Sequence, residues 1–152
     1  MNKAFVREED TINDRCPRCG SAGRTVGGQT LHHFLRPEAR GRIAEPALFC
    51  AQPGCDIVYF DQFGRSVSTA DVVRPVYPKD PAAPICGCFG FGREEIEEDI
   101  AEGAVTRCRE LLAKSKSPEA RCATMSADGK SCAAEVQRYF FRMRERSQEP
   151  RP

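Results

Sequence analysis

The sequence predicts an α+β protein in which a small β-rich unit is followed by a small helical unit. Residues 15–77 contain cysteine turns separated by short runs of β-branched and aromatic residues, which are typical of strands. Residues 86–147 instead repeat apolar side chains at the spacing of amphipathic helices. Between them, residues 78–85 include "PKDPAAP", whose three prolines indicate a short and stiff connector.

The composition indicates thin hydrophobic cores that need additional cross-links. The chain has 152 residues, which fits one ordinary domain or two very small ones. It has no tryptophan, and only 8% of its residues are aromatic. Small domains of this kind are usually held together by disulfides or metals, and nine cysteines are present to supply either.

The N-terminal stretch favours a cytoplasmic location. Residues 1–14 are charged throughout and lack the apolar segment of a secretory signal, and no run approaches the ~20 apolar residues of a membrane span. We expect this stretch to be flexible and the tail over residues 148–152 to be disordered. In a reducing compartment, clustered cysteines indicate metal binding more often than disulfides.

The charge balance gives no strong indication of a nucleic-acid partner. The formal net charge is +1, whereas proteins that bind nucleic acid by bulk electrostatics are usually clearly basic. The stretch "RTVGGQTLHHFLRPEARGR" is locally basic, but it lacks interleaved aromatic residues. We therefore find no strong signal for a nucleic-acid partner.

Three short stretches define the secondary structure predicted for the first unit. "ALFC" and "DIVYF" are predicted strands on either side of a cysteine turn. "TLHHFL" is predicted to be a short strand or the start of a helix. "VSTADVVRPVY" is predicted to be the last short strand, with one helical turn at its start.

The second unit is predicted to contain three helices. The apolar spacing predicts two helices over residues 93–116 with a break at Gly103, and a docked amphipathic helix in "CAAEVQRYFFRMRERSQ". Residues 117–131 are predicted to be a loop. Cys108 shares the apolar register of its helix, so we expect a small buried side chain rather than a ligand.

Two cysteine turns in the first unit predict a zinc site. "CPRCG" and "CAQPGC" space their thiols by two and four residues, within the range of zinc ligands, and their glycines permit tight turns. Two such turns brought together form a tetrahedral sulfur cage, which suits a zinc-ribbon-like unit. His32 or His33 is the alternative fourth ligand. The predicted ligands are Cys16, Cys19, Cys50 and Cys55.

Four further cysteines form a sparser pattern, C-x-C followed by C-x₉-C. They are Cys86, Cys88, Cys122 and Cys132. Both pairs lie close to predicted helix starts, where unpaired N–H groups and the helix dipole stabilise negatively charged thiolates. The spacing alone is compatible with a 2Fe–2S cluster or with a second zinc site.

These cysteine motifs resemble the N-terminal domain of CopZ-type copper chaperones, a module that binds zinc and a 2Fe–2S cluster. The resemblance covers about residues 15–140, and its most specific pieces are "GCDIVYFD" and "CGCFGF". The second half resembles the BFD-like 2Fe–2S fold, a small helical domain that binds a cluster. The resemblance implies that the C-x-C pair and the C-x₉-C pair are the 2Fe–2S ligands, and that the first four cysteines belong to the zinc half.

One feature of the full-length chaperones has no counterpart in the printed sequence. Those chaperones add a domain with an M-x-C-x-x-C copper loop, whereas the one C-x-x-C of this sequence, "CPRC", belongs to the predicted zinc unit. We therefore do not expect this chain to deliver copper directly.

The motifs favour a protein that is not an enzyme. Both metal sites are expected to be closed by four protein ligands, which leaves no position for water or substrate, and no nucleophile–base pair or phosphate-binding loop is present. The leading hypothesis is a one-electron redox metalloprotein. Its place in copper handling, with a redox protein or a separate metal chaperone or transporter as partner, is implied by the resemblance.

Two other functions remain open. The first is a cluster-sensing or protein-docking regulatory module with two structural metal sites. The second is electron delivery to a larger oxidoreductase, as BFD-like domains do within multidomain enzymes.

Overall fold

The computed structural model describes residues 14–148 and confirms the α+β class, with a β-rich half followed by a helical half. The predicted flexible N-terminus, apart from Asp14, and the predicted tail, apart from Gln148, lie outside the described residues. Gln148 itself is the last residue of a helix.

The first half is built on a four-stranded antiparallel sheet with the strands in chain order. The strands are β1 (Arg24–Val26), β2 (Ala47–Phe49), β3 (Ile57–Phe60) and β4 (Ser66–Ser68). Every side chain of β2 and β3 is buried, because these central strands are covered on both faces. The strands predicted in "ALFC" and "DIVYF" are therefore confirmed.

The end of the first half differs in order from the prediction. Strand β4 comes first, and a single 3₁₀ turn, Thr69–Asp71, follows it rather than preceding it. The turn forms because the Asp71 carboxylate accepts from the Ser68 N–H at 2.9 Å, while the Ser68 hydroxyl accepts from the Ala70 N–H at 3.2 Å.

Two short helices connect β1 to β2 and cover the sheet. They are α1 (Gly28–Phe34) and α2 (Pro37–Arg40), so "TLHHFL" is helical. Leu31 and Phe34 of α1 pack into one buried cluster with the sheet residues Phe49 and Tyr59. The apolar residues of this stretch recur at i and i+3, which suits a helix that lies on a sheet.

The second half contains the three predicted helices and one additional short helix. The helices are α3 (Arg93–Glu102), α4 (Thr106–Ser115), α5 (Cys122–Met125) and α6 (Ala133–Gln148). Gly103 ends α3 in the left-handed conformation with φ of 70°, as a helix C-terminus favours. The prediction of a loop over residues 117–131 was wrong at α5. None of the helices described is long and apolar enough to cross a bilayer.

The core of the helical half is a single buried cluster between α3, α4 and α6. Ile96 and Val136 are fully buried in it, and Cys108 packs beside them as expected. Burial raises the pKa of the Cys108 thiol to about 12, so it stays protonated. Cys108 is a structural side chain of this core.

The two halves are in direct contact. The segment over residues 117–131 lies against α1 and the sheet, where the Tyr59 hydroxyl and the Thr30 hydroxyl each donate to a backbone carbonyl of that segment at 2.6 Å. In the connector, Ala83 is buried and Lys79 reaches back to the first half. The connector therefore packs against the protein instead of spanning a gap.

Candidate metal centres

The structure brings together the four cysteines predicted to bind zinc. Their Sγ atoms all lie within 4.8 Å of one another. The Cys16 and Cys55 Sγ atoms are 3.8 Å apart, and those of Cys19 and Cys50 are 3.5 Å apart. Four thiolates bound at about 2.3 Å around a tetrahedral Zn²⁺ lie about 3.8 Å from each other. The donor set therefore fits a Cys₄ zinc site in both composition and geometry.

Local backbone hydrogen bonds shape the two cysteine turns. In the first turn, the Gly20 N–H donates to the Cys16 carbonyl at 2.9 Å, and the φ of Gly20 is 77°, which only glycine adopts easily. In the second, the Cys55 N–H donates to the Gln52 carbonyl at 3.2 Å. The Cys50 N–H continues the sheet by donating to Val58 at 2.9 Å. The second turn is thus an extension of the β2–β3 hairpin.

Two cationic side chains hold the zinc-binding turns in place. Arg18, from the first turn, forms an ion pair with Asp56, which follows the second turn. The Lys79 ammonium donates to the carbonyls of Gln52 and Cys55 at 2.8 and 2.9 Å. A positive charge beside a thiolate site offsets part of its negative charge. The sequence analysis missed Lys79, because a lone lysine in a proline-rich connector carries no motif.

The two histidines lie apart from this site. The His32 ring contacts the Arg40 guanidinium, and the His33 ring packs edge-on against Phe34 at 5.0 Å. Burial and the nearby Arg74 charge lower the pKa of His33, so it is neutral at physiological pH. Neither ring belongs to the sulfur cage.

The four thiols differ in exposure and acidity. Cys16, Cys50 and Cys55 are buried, whereas Cys19 is exposed. The pKa of Cys19 is lowered to about 6, mainly by a hydrogen bond from the Ser21 side chain and next by one from the Ser21 backbone. Burial raises the pKa of Cys50 to about 12 and also raises that of Cys55. The exposed thiol is therefore the first of these three to become a thiolate.

The C-x-C pair of the second set sits in a tight hairpin. The Cys86 N–H donates to the Phe91 carbonyl at 2.9 Å, and the Phe91 N–H donates back at 3.1 Å. Gly90 has a φ of 64°, as the hairpin turn requires. A Cβ atom on Gly87 would overlap the carbonyl oxygen of Met125 at the end of α5. Glycine at this position therefore lets the C-x-C hairpin approach the segment that carries Cys122.

The other two cysteines of the set lie at helix starts. Cys122 is the first residue of α5, and Cys132 directly precedes α6. The Cys86 thiol lies near those of Cys132 and Cys88, and the Cys88 thiol lies near that of Cys122. The Arg121 N–H donates to the Cys88 Sγ at 3.3 Å. The structure therefore brings the four predicted residues into one neighbourhood, with Cys86 and Cys88 between the two later cysteines.

Burial and mutual contacts separate the acidities of this second set. A hydrogen bond with Cys132 lowers the pKa of Cys86 to about 6, and the same contact raises the pKa of Cys132. Burial raises the pKa of Cys88 to about 11. Phe91 is buried beside Cys86, and Phe89 is half-buried. Both aromatic side chains pack in the same cluster as Cys86 and Cys88.

The two sets have different shapes. Within residues 14–148, the first set is the one group of three or more cysteine, histidine or carboxylate ligands whose donor atoms all lie within 4.8 Å of one another. The second set is more widely spaced, because its four Sγ atoms do not form such a group. A single tetrahedral ion needs the first arrangement.

Comparisons with known proteins agree with this description of the first half. Residues 13–73 match the family model of the CopZ-type zinc-binding domain. No curated protein matches the chain in sequence. The solved structure of the Archaeoglobus fulgidus CopZ N-terminal domain matches 82% of this chain and 95% of its own, with a TM-score of 0.70 and 21% identity.

The fold and the four-cysteine site define an α+β metal-binding protein. The CopZ-type zinc-binding domain that its first half resembles covers the same residues as the sulfur cage. Over 82% of the chain, its fold is similar to that of the CopZ N-terminal domain.

Proposed function

We propose that the chain is a non-enzymatic redox metalloprotein with a structural zinc ion in its first half and a 2Fe–2S cluster in its second. It passes one electron to a protein partner in copper handling. The observation that carries this proposal is the convergence of Cys86, Cys88, Cys122 and Cys132 from one hairpin and two helix starts. A bound 2Fe–2S core supplies the one-electron chemistry.

The residues around the second set have roles that suit this chemistry. The thiolates neutralise the positive charge of the iron, and the Arg121 N–H reduces the charge on the Cys88 sulfur by hydrogen bonding. The buried side chains of Ile85 and Phe91 exclude water from one side. Cys88 and Cys122 remain partly exposed, so an electron has a short path to a partner docked over this edge.

The proposed place in copper handling rests on two likenesses. The first half matches a CopZ-type domain, and the fold matches a domain taken from CopZ. Reduction of Cu(II) is therefore the redox step that we propose to test first. The dithionite-reduced protein should be reoxidised when Cu(II) is added, and a protein that remained reduced would exclude copper as the electron acceptor.

Metal analysis tests the cofactor assignment directly. The protein is purified anaerobically, and iron, sulfide and zinc are measured with visible and EPR spectra before and after reduction. We expect two irons, two sulfides and one zinc per chain. Two zincs without colour would overturn the redox proposal. The variant Cys88→Ser should lose iron and keep zinc, while Cys108→Ala should keep both.

A cavity between the two halves favours the alternative of a docking module. It has a volume of about 420 Å³ and lies between apolar walls that include Phe49 and Tyr77, with Arg74 and Arg142 among its lining residues. Cys132 also lines it, so a bound segment would touch the cluster site. In this alternative, the Kd for a protein partner differs between the cluster-bound protein and the cluster-free protein. Equal values would exclude cluster sensing.

A further inference from the structure

We propose that the zinc half positions the ligand segment of the cluster site through Tyr59 and Thr30. This inference rests on the proposed function, because it concerns residues that hold Cys122 and Cys132 in place. Tyr59 and Thr30 belong to the zinc half and are positioning residues, because they contact the backbone of the ligand segment and not the ligands themselves.

Tyr59 makes the first of the two contacts. It lies in β3, is fully buried, and donates its hydroxyl to the Ala127 carbonyl at 2.6 Å. Its ring packs against Phe49 with 5.7 Å between ring centroids, which restricts the position of the hydroxyl. Burial raises the pKa of Tyr59, so the hydroxyl remains a donor. Ala127 lies between the two later cysteine ligands and packs on the same apolar core.

Thr30 makes the second contact, with a residue directly next to Cys122 in the chain. Its side chain is 1% exposed and donates to the carbonyl of Ala123, the residue after Cys122, at 2.6 Å. Near the other end of the segment, Gly129 approaches so closely that an added Cβ would lie 3.2 Å from the Thr30 hydroxyl. Thr30 is therefore enclosed by the ligand segment.

A third contact is more exposed and electrostatic. Arg24 of β1 pairs with Asp128 at 2.8 Å, and the Asp128 carboxylate accepts in turn from the Lys130 N–H at 3.0 Å and from the Ser126 hydroxyl at 2.8 Å. This network shapes the turn that leads to Cys132. Its partly exposed ion pair contributes less than the buried hydroxyl contacts.

The zinc ion is connected to these contacts through the sheet. Cys50 follows β2 and Cys55 precedes β3, so zinc binding holds together the hairpin that presents the Tyr59 hydroxyl. The segment over residues 117–131 has little regular structure of its own apart from α5. Its order therefore depends on the surface it lies against, and loss of zinc removes that surface.

The test uses hydrogen exchange on the full chain with zinc bound. In Tyr59→Phe and in Thr30→Val, the amides of residues 122–131 should exchange roughly fivefold faster than in the wild type, because each change removes one net hydrogen bond. Zinc content should stay at one per chain. Where the wild type holds a cluster, iron should also be lost faster from each variant. Removing zinc by chelation should accelerate exchange in the same amides by roughly tenfold or more.

Matched controls separate this role from general destabilisation. Tyr139→Phe removes a hydroxyl that donates to Glu97 at 2.8 Å within the helical half, and Thr25→Val changes an exposed threonine of β1. Both controls should leave exchange in residues 122–131 unchanged.

Two outcomes are distinguishable. Unchanged exchange and iron retention in Tyr59→Phe and Thr30→Val would overturn the positioning inference, whatever metal the second site holds. A wild type without iron would overturn the proposed function instead. The positioning of the segment would still be decided by the exchange rates.

Discussion

The two halves of the molecule build four-cysteine sites in different ways. In the zinc half, the ligands sit in two turns whose own backbone hydrogen bonds point the thiols inward, and the turns join in a small sheet. In the helical half, one hairpin and two helix starts must be brought together by the packing of α3, α4 and α6. The first site is largely local, whereas the second depends on tertiary structure and on contacts with the other half.

Because of this difference, loss of the zinc site should also disturb the second site, whereas loss of the second site should leave the zinc site intact. The ligand segment of the second site lies on the zinc half, through Thr30 and Tyr59. The zinc turns, in contrast, pack against Leu48, Ile57 and Phe60 of their own half, and Lys79 of the connector binds to their backbone. We therefore expect the second site to depend on the zinc half more than the zinc site depends on the helical half. Mutations at each site test this asymmetry.

The largest expected effect comes from removing a zinc ligand. Cys50→Ser should abolish zinc binding and unfold the sheet, because structural zinc supplies on the order of 10 kcal/mol to small domains. Iron should be lost as well, because the surface under residues 117–131 is lost. Cys88→Ser should lose iron alone. Zinc and iron analysis with circular dichroism gives the answer, and retention of iron in the Cys50 variant would contradict the asymmetry.

The second effect concerns two glycines beside the two sites. Gly87→Ala should destabilise the helical half by about 3 kcal/mol and prevent cluster assembly, because the new methyl group meets the Met125 carbonyl. Gly54→Ala in the second zinc turn is the matched control, since an added Cβ there has no atom within 4 Å. Denaturant unfolding and iron content measure both. Equal behaviour of the two variants would mean that the C-x-C hairpin is not closely packed.

The third effect concerns Asp99, a fully buried carboxylate of the helical half. It accepts from the Arg107 and Cys108 N–H groups at 3.2 and 2.9 Å and pairs with the Arg107 guanidinium at 3.1 Å. Burial alone would raise its pKa, but the hydrogen bonds from Cys108 and Arg107 lower it overall. Asp99→Asn should cost about 2 kcal/mol at neutral pH, because the α4 start loses its charged acceptor.

The pH dependence of this effect has a definite sign. A carboxylate whose pKa is lowered on folding stabilises the protein fully above its unfolded pKa of about 3.9. That contribution is lost as the pH falls through the lower folded pKa. The difference in unfolding free energy between wild type and Asp99→Asn should therefore shrink below about pH 4. Acid also protonates the cysteine ligands, but it does so equally in both proteins, which share the same metal sites. That contribution therefore cancels when their unfolding free energies are subtracted. A constant difference across this range would show that the charge is not what stabilises α4.

The smallest effect is expected at the ninth cysteine. Cys108→Ala should cost about 1 kcal/mol, since it deletes one buried sulfur atom and keeps the backbone N–H that Asp99 accepts from. Iron, sulfide and zinc should be unchanged. A loss of iron would place Cys108 among the ligands and redefine the second site.

Several local features of the fold were predictable from the sequence, and others were not. The strands around the second zinc turn, the break at Gly103 and the burial of Cys108 were all predicted correctly. The order of strand and turn near Ser68 was wrong, because it depends on the side-chain hydrogen bonds of Asp71. Helix α5 was missed because four residues are too short to show periodicity.

The sequence by itself determined the α+β division and the eight candidate ligands, because hydrophobic period and cysteine spacing are local properties of the chain. Only the tertiary structure decided that the four cysteines of the second set converge and that the segment carrying Cys122 rests on Tyr59 and Thr30. These contacts join residues far apart in the chain. They arise from burial and hydrogen bonding in the folded protein, which no local spacing records.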